Sequence, residues 1–325
     1  MEIAESWPGR LLSTSRGQVL VRQFGRDVEG RRAHIELDAP APMLFVHGLG
    51  GESLDWIDVA LQLKDLVDCM GLDLPGFAHS ALPLDGDLSL DGMAGTVAEV
   101  ARAMTRPVHL VANSLGGTIA VRVAAEHPEL VASLTLVAPA LPDLHPRLGS
   151  VQLLIGLTPL LGPAIVRTII NSDPEWMAKR IYALCYGDPK AVPARRHERE
   201  LATLRQRAGL DYSPRVYREA LRATVMSYVD RGPRRMWQQA RAVGVPTLVI
   251  SGGRDRLVKE RVIARARRTF QDAEMVRFAA AGHLAHLEDP DATAAAIRAF
   301  LLQRGLIRGM SERRGTVVEA ERPSR

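Results

Sequence analysis

The sequence predicts an α/β protein carrying a helical insertion, and three observations predict it. Strand-like apolar runs alternate with helix-like segments across residues 43–137, and the alternation resumes at Val245. The intervening stretch, 140–240, has helix-like periodicity, several prolines and no convincing strand. Ser114 stands where an apolar run, 108–111, passes into a helix-like one, 118–126, with small residues two places to either side. At 325 residues, 46% of them apolar, the chain exceeds an ordinary single domain and has ample material for a core and a second lobe. The expected organisation is a core in two parts, 1–139 and 241–303, split by a helical cap at 140–240. A polar tail of mixed charge, 304–325, follows and is expected to fray.

The elements follow in chain order. Met43-Leu44-Phe45-Val46 reads as a strand, and it ends in His47-Gly48-Leu49-Gly50-Gly51, a loop whose backbone N–H groups can face a reacting centre. The run 108–111 reads as a buried strand leading to Ala112-Asn113-Ser114-Leu115-Gly116-Gly117. A serine at a strand-to-helix turn is held in a strained conformation, so nothing bulky fits two residues before it or after it. Ala112 and Gly116 fill those places. The core pattern lapses after Val137, at Ala138-Pro139-Ala140-Leu141-Pro142.

The longest apolar stretch, 148–170, is broken by Gly156, Pro159, Gly162 and Pro163 into pieces too short to span about 30 Å of hydrocarbon, so it reads as an apolar lid segment. The best helices of the cap are expected at 175–186 and 214–229. A strand at 245–250 leads into Ser251-Gly252-Gly253-Arg254-Asp255, where an aspartate in a Gly-rich loop can orient a histidine. A short strand at 275–278 precedes Ala281-Gly282-His283-Leu284-Ala285-His286, and Asp289-Pro290 opens a closing helix.

Together these residues resemble the α/β-hydrolase family, over roughly residues 17–302. The likeness includes Gly71-Leu72-Asp73-Leu74-Pro75-Gly76-Phe77, similar to the family's turn after its fourth strand. Ala112 departs from the family's usual Gly-x-Ser-x-Gly by one methyl group. The resemblance implies a mostly parallel central sheet with helices on both faces and a helical lid inserted after the strand ending at Val137. It also implies the order nucleophile, acid, histidine, which Ser114, Asp255 and His283 follow. In that scheme Ser114 attacks a carbonyl carbon, His283 takes its proton, and Asp255 holds the imidazole in the right tautomer. The N–H groups of Leu49 and Leu115 would receive the oxyanion. His47 would shape the oxyanion loop and Asp73 would organise its turn. Asn113 either touches substrate or bonds the local backbone. Asp255 as a helix N-cap, and His286 in place of His283, are the competing readings.

The expected reaction is hydrolysis of a carboxylic ester with an apolar acyl or alcohol part through an acyl-enzyme. An aspartate stands at the nucleophile position of the family's dehalogenases and epoxide hydrolases, so Ser114 argues against both. Carbon–carbon bond hydrolases of ring-fission dienoates are the alternative, sharing the Asn-Ser-x-Gly-Gly arrangement. They often place Trp after the histidine, where this chain has Leu284. A non-catalytic ligand-binding relative is the alternative from another class, and acyl transfer to an acceptor other than water is a third.

Composition bounds the rest. Residues 141–240 hold 16 Lys+Arg against nine Asp+Glu, a net of +7 where the whole chain is +5. A basic cap either draws anionic substrates to the site or is a solvated helix surface. No nucleic-acid motif occurs and the basic residues are not interleaved with aromatics. Two cysteines, Cys69 and Cys185, lack metal-ligand spacing and suggest no disulfide framework. No metal or cofactor is expected, and the partner is a small-molecule ester or related carbonyl compound. The first residues, Met1-Glu2-Ile3-Ala4-Glu5, lack the basic region and apolar core of a signal peptide, so a cytoplasmic enzyme is expected.

Overall fold

The computed structural model describes residues 9–24, 41–143 and 154–307. Eight strands form one sheet: β1 (Gly9–Thr14), β2 (Gly17–Phe24), β3 (Met43–Val46), β4 (Cys69–Leu72), β5 (Val108–Asn113), β6 (Val131–Val137), β7 (Thr247–Gly252) and β8 (Ala273–Phe278). Their order is β1-β2-β4-β3-β5-β6-β7-β8. The β1–β2 hairpin and the β2–β4 pair are antiparallel, and every pair from β4 to β8 is parallel.

The central strands read as unbroken apolar runs because both of their faces are covered. Side chains alternate across a strand. Leu44, Val46, Leu110, Ala112, Leu134, Leu136 and Val249 therefore enter one core layer, and Met43, Phe45, Val111, Val137, Leu248 and Ile250 the other. The first layer is closed by α2 (Leu90–Ala103), α3 (Leu115–Glu126), α8 (Met236–Ala242) and α9 (Glu260–Thr269). The second is closed by α1 (Ile57–Leu63) and α11 (Pro290–Gln303). Capping fixes where these helices start: Ser89 Oγ accepts from Gly92 N–H at 3.1 Å, and Asp289, ahead of Pro290, from Ala292 N–H at 2.9 Å.

Chain order places β4 on one side of β3 and β5 on the other. The connections thus reverse direction between β3 and β5, and in open α/β sheets the crevice beyond the strand ends at such a point receives ligands. The loop after β3 and the turn after β5 meet there.

Among the described residues, four α-helices lie between β6 and α8: α4 (Gly162–Ile170), α5 (Pro174–Cys185), α6 (Ala194–Ala208) and α7 (Ser213–Met226). Helices α5 and α7 fall close to the two segments expected from the sequence. The apolar stretch 148–170 is described from residue 154 onward, as a short turn and α4; its first part lies outside the described residues. Most of the expected tail, residues 308–325, also lies outside them, as do residues 1–8. Of the tail's described residues, Ile307 is buried against the second core layer.

Helix α6 was not expected, and its composition explains why. The face it turns to the core is charged. Arg196 Nη2 donates to Asp55 Oδ1 and to Glu200 Oε2, each at 2.9 Å, and Arg199 Nη1 to Asp58 Oδ2 at 2.7 Å. Thr203 hydroxyl donates to Glu52, and Arg207 Nη1 to the Gly50 carbonyl at 3.1 Å. Three cap arginines are therefore fasteners to the core, which accounts for part of the cap's positive charge by neither of the two readings open from sequence.

Candidate active site

Ser114 closes β5 and precedes α3. Its backbone adopts φ 52° and ψ −116°, a left-handed φ uncommon for any residue with a side chain. Hydrogen bonds over-determine it. Ser114 N–H donates to the Val137 carbonyl at 3.1 Å, while its own carbonyl accepts from Thr118 N–H at 3.2 Å and Ala140 N–H at 3.1 Å. A side chain on Gly116 would run into the carbonyl oxygens of Val46 and His47, so the first turn of α3 can press onto the end of β3 only with glycine there.

The loop after β3 touches this turn. A Cβ built on Gly48 would stand 3.2 Å from Ser114 Cβ. His47 fixes the loop: its Nδ1–H donates to the Gly48 carbonyl at 2.7 Å, and its Nε2 accepts from Leu74 N–H at 2.9 Å. That pattern selects one neutral tautomer, and burial pushes the ring's pKa below the ordinary value. Asp73 spans the neighbouring turn, accepting from Ser53 N–H at 2.7 Å and His79 N–H at 3.3 Å. The N–H groups of Leu49, in this loop, and of Leu115, first residue of α3, take no hydrogen-bond partner among the described residues.

Asp255 follows β7 and His283 follows β8. Their loops are joined by Gly253 N–H to the Phe278 carbonyl and Arg254 N–H to the Ala281 carbonyl, both at 2.8 Å. Asp255 Oδ1 accepts from Leu257 N–H at 2.7 Å and Val258 N–H at 2.9 Å, and Oδ2 lies 2.9 Å from His283 Nδ1. Burial alone would raise the Asp255 carboxyl. The charge and hydrogen bond of His283, with the two N–H groups, outweigh it and hold the pKa below the usual carboxylate value. The N-cap place of α9 is held by Lys259, not Asp255. His286 stacks on Trp56 with ring centroids 4.1 Å apart, and burial lowers its pKa to about 3, as for a neutral core histidine.

Asn113 is buried, and its Nδ2 donates to the carbonyls of Val137 at 2.9 Å and His283 at 3.4 Å. It ties the serine strand to the histidine loop. From the cap, the Cys185 carbonyl accepts from His283 N–H at 2.6 Å, and the Tyr186 carbonyl accepts from Arg256. These cap contacts carry no sequence signal, because the acceptors are backbone carbonyls. A small cleft beside Gly50 and Gly51 runs under the cap, lined by Phe77, Arg207, Leu210, Val216 and Tyr217. Among the described residues no cluster of His, Cys, Asp and Glu could hold a metal ion, and no helix is long and apolar enough to cross a membrane.

A left-handed serine at a strand-to-helix turn and a buried Asp–His pair at the carboxyl ends of two later strands lie on one α/β sheet covered on both faces. The chain is a member of the alpha/beta hydrolase fold family, whose model matches residues 41–290, and it is a hydrolase. It is 25% identical over 267 residues to Lipase 1 of Psychrobacter immobilis, covering 81% of this chain and 77% of that protein. It is 27% identical over 268 residues to the dihydrolipoyllysine-residue acetyltransferase component of the acetoin cleaving system of Pseudomonas putida. That match covers 80% of this chain and 63% of the relative, so the chain spans less than two thirds of its length. Among solved structures, 2-hydroxy-6-oxo-6-phenylhexa-2,4-dienoate hydrolase from Rhodococcus sp. strain RHA1 shares the fold, with a TM-score of 0.68 at 17% identity over 91% of this chain and all of that one. The lipase relative and the fold support ester hydrolysis at the general level.

Proposed function

We propose that this hydrolase cleaves a carboxylic ester with an apolar acyl or alcohol part, through an acyl-enzyme on Ser114. The reading rests above all on the 2.9 Å pair between His283 Nδ1 and Asp255 Oδ2. With Nδ1–H donated to the carboxylate, Nε2 keeps its lone pair and can act as a base. His283 takes the proton of Ser114 Oγ as it attacks the carbonyl carbon, and Asp255 stabilises the imidazolium that forms. The N–H groups of Leu49 and Leu115 receive the negative charge on the carbonyl oxygen, where loss of one such donor costs about 10²–10³ in rate. His283 then protonates the leaving alcohol, and water repeats the sequence on the acyl-enzyme.

Residues 140–240 act as the lid. Phe77, Leu210 and Val216 give the cleft beneath it apolar walls for such a group, with Arg207 at its side. The free thiols of Cys69 and Cys185 fit a reducing compartment, and we place the enzyme in the cytoplasm.

The test is turnover of p-nitrophenyl esters of short and medium acyl chains against a ring-fission dienoate, with Ser114→Ala as control. Ester turnover that disappears in the variant is the expected result. A higher kcat/KM for the dienoate replaces the ester reading with carbon–carbon cleavage, and saturable binding without turnover replaces it with a receptor.

A further inference from the structure

We propose that Glu288 is a positioning residue, whose carboxylate fastens the cap to the loop carrying His283 so that the seating of the cap sets the place of the imidazole. This rests on the reading of His283 as the base. Glu288 ends the short helix α10 (Ala285–Glu288), which turns back over the loop it leaves. Its Oε1 accepts from Gly282 N–H at 2.7 Å, one residue before His283, and its Oε2 accepts from Gly187 N–H at 2.7 Å, just past the end of α5 in the cap. One carboxylate thus holds two segments that belong to different lobes.

The neighbouring contacts make the junction tight. His283 N–H donates to the Cys185 carbonyl, two residues before Gly187. A Cβ on Gly187 would fall far inside contact distance of the Ala280 carbonyl oxygen, so only glycine lets this cap segment approach so closely. The carboxylate makes no ion pair among the described residues, and it is held by N–H groups alone. Burial raises its pKa, opposed by the N–H groups of Gly187, Gly282 and Asp188 and seconded by the charge of Asp255. A carboxylate offers two oxygens, each an acceptor, spaced to reach both lobes.

Glu288→Gln and Glu288→Asp separate positioning from simple support. The glutamine amide keeps one acceptor and sets an N–H₂ against the other N–H, while aspartate keeps both acceptors on a shorter stem. Two readouts are taken on the full-length protein: steady-state kinetics on a p-nitrophenyl ester, and the low-field proton resonance of the His283–Asp255 hydrogen bond without substrate. In Glu288→Gln, kcat is expected to fall about ten- to a hundredfold with KM changed less than threefold, and the resonance to shift or broaden. Glu288→Asp is expected to recover part of both. A Glu288→Gln protein with parental kcat and an unchanged resonance overturns the proposal, and so does one that only melts at lower temperature. Should Ser114→Ala retain turnover, the hydrolase mechanism fails, and the resonance still reports the Glu288 tie by itself. Should Glu288→Gln not fold, Glu288→Asp decides: parental kcat and resonance in that shorter variant overturn the proposal, and intermediate values uphold it.

Discussion

Asp255 Oδ2 and His283 Nδ1 lie 2.9 Å apart with each side chain only 4% exposed, while the other Asp255 oxygen is held by two backbone N–H groups. The carboxylate is therefore fixed before the imidazole is charged. Asp255→Asn preserves size and can preserve the loop, but it presents an N–H₂ or a neutral oxygen to the imidazole. A fall in kcat on the order of 10⁴-fold is expected with the fold intact, measured by ester hydrolysis and circular dichroism. Activity within tenfold of the parent would remove Asp255 from the mechanism.

Glu52 makes stability depend on pH. Burial, then the charges of Asp73 and Asp55, push its carboxyl to about 7 against the pull of Thr203 and Arg22. In the unfolded chain the carboxyl has its ordinary value of 4.5. Between those values the folded state holds a proton that the unfolded state has lost, so stability is full below the unfolded pKa and declines as pH rises through the folded one. The loss is on the order of 3 kcal/mol at pH 8. Glu52→Gln is expected to melt at a higher temperature than the parent at pH 8, with the gap closing at pH 5. Equal gaps at both pH values would contradict this.

Arg196 holds the cap to the core between two carboxylates, Asp55 and Glu200. In Arg196→Met the buried Glu200 and the partly buried Asp55 lose the cation they share. Removing one member of a buried pair costs typically about 3–5 kcal/mol, and a loss on the order of 3 kcal/mol is expected in denaturant unfolding. A change below about 1 kcal/mol would mean that the pair contributes as a surface ion pair does.

Gly116→Ala tests the closeness of α3 to β3. The added methyl meets two carbonyl oxygens that no rotamer change can move. The first turn of α3 must shift, carrying Ser114 and Leu115 with it. Overpacking of this kind costs about 1–3 kcal/mol in stability, read by thermal unfolding, and ester turnover should fall more steeply than stability does. Parental stability and turnover together would show that the turn has slack.

Much of this fold could be read from sequence for a physical reason. The strands β3, β5, β6 and β7 are buried on both faces, so they appear as apolar runs, and those of β3, β5 and β7 are followed by glycine-bearing loops. The β1–β2 hairpin is an edge, with β1 mostly exposed, and it offered no such run. Helix α6 was illegible because Arg196, Arg199 and Thr203 form its core-facing side, reversing the pattern on which amphipathic helices are recognised. Ser114, Asp255 and His283 could be nominated because each follows an apolar run at a strand end. Glu288 could not, since its two partners come from six residues and 101 residues away and are backbone N–H groups without a residue signature.

The most direct measurement is mass spectrometry after treatment with a fluorophosphonate, on the parent and on Ser114→Ala. A single adduct on Ser114, absent from the variant, is the result expected of an activated serine nucleophile. A folded parent that takes no adduct, or a variant that takes the same one, would contradict catalysis at Ser114.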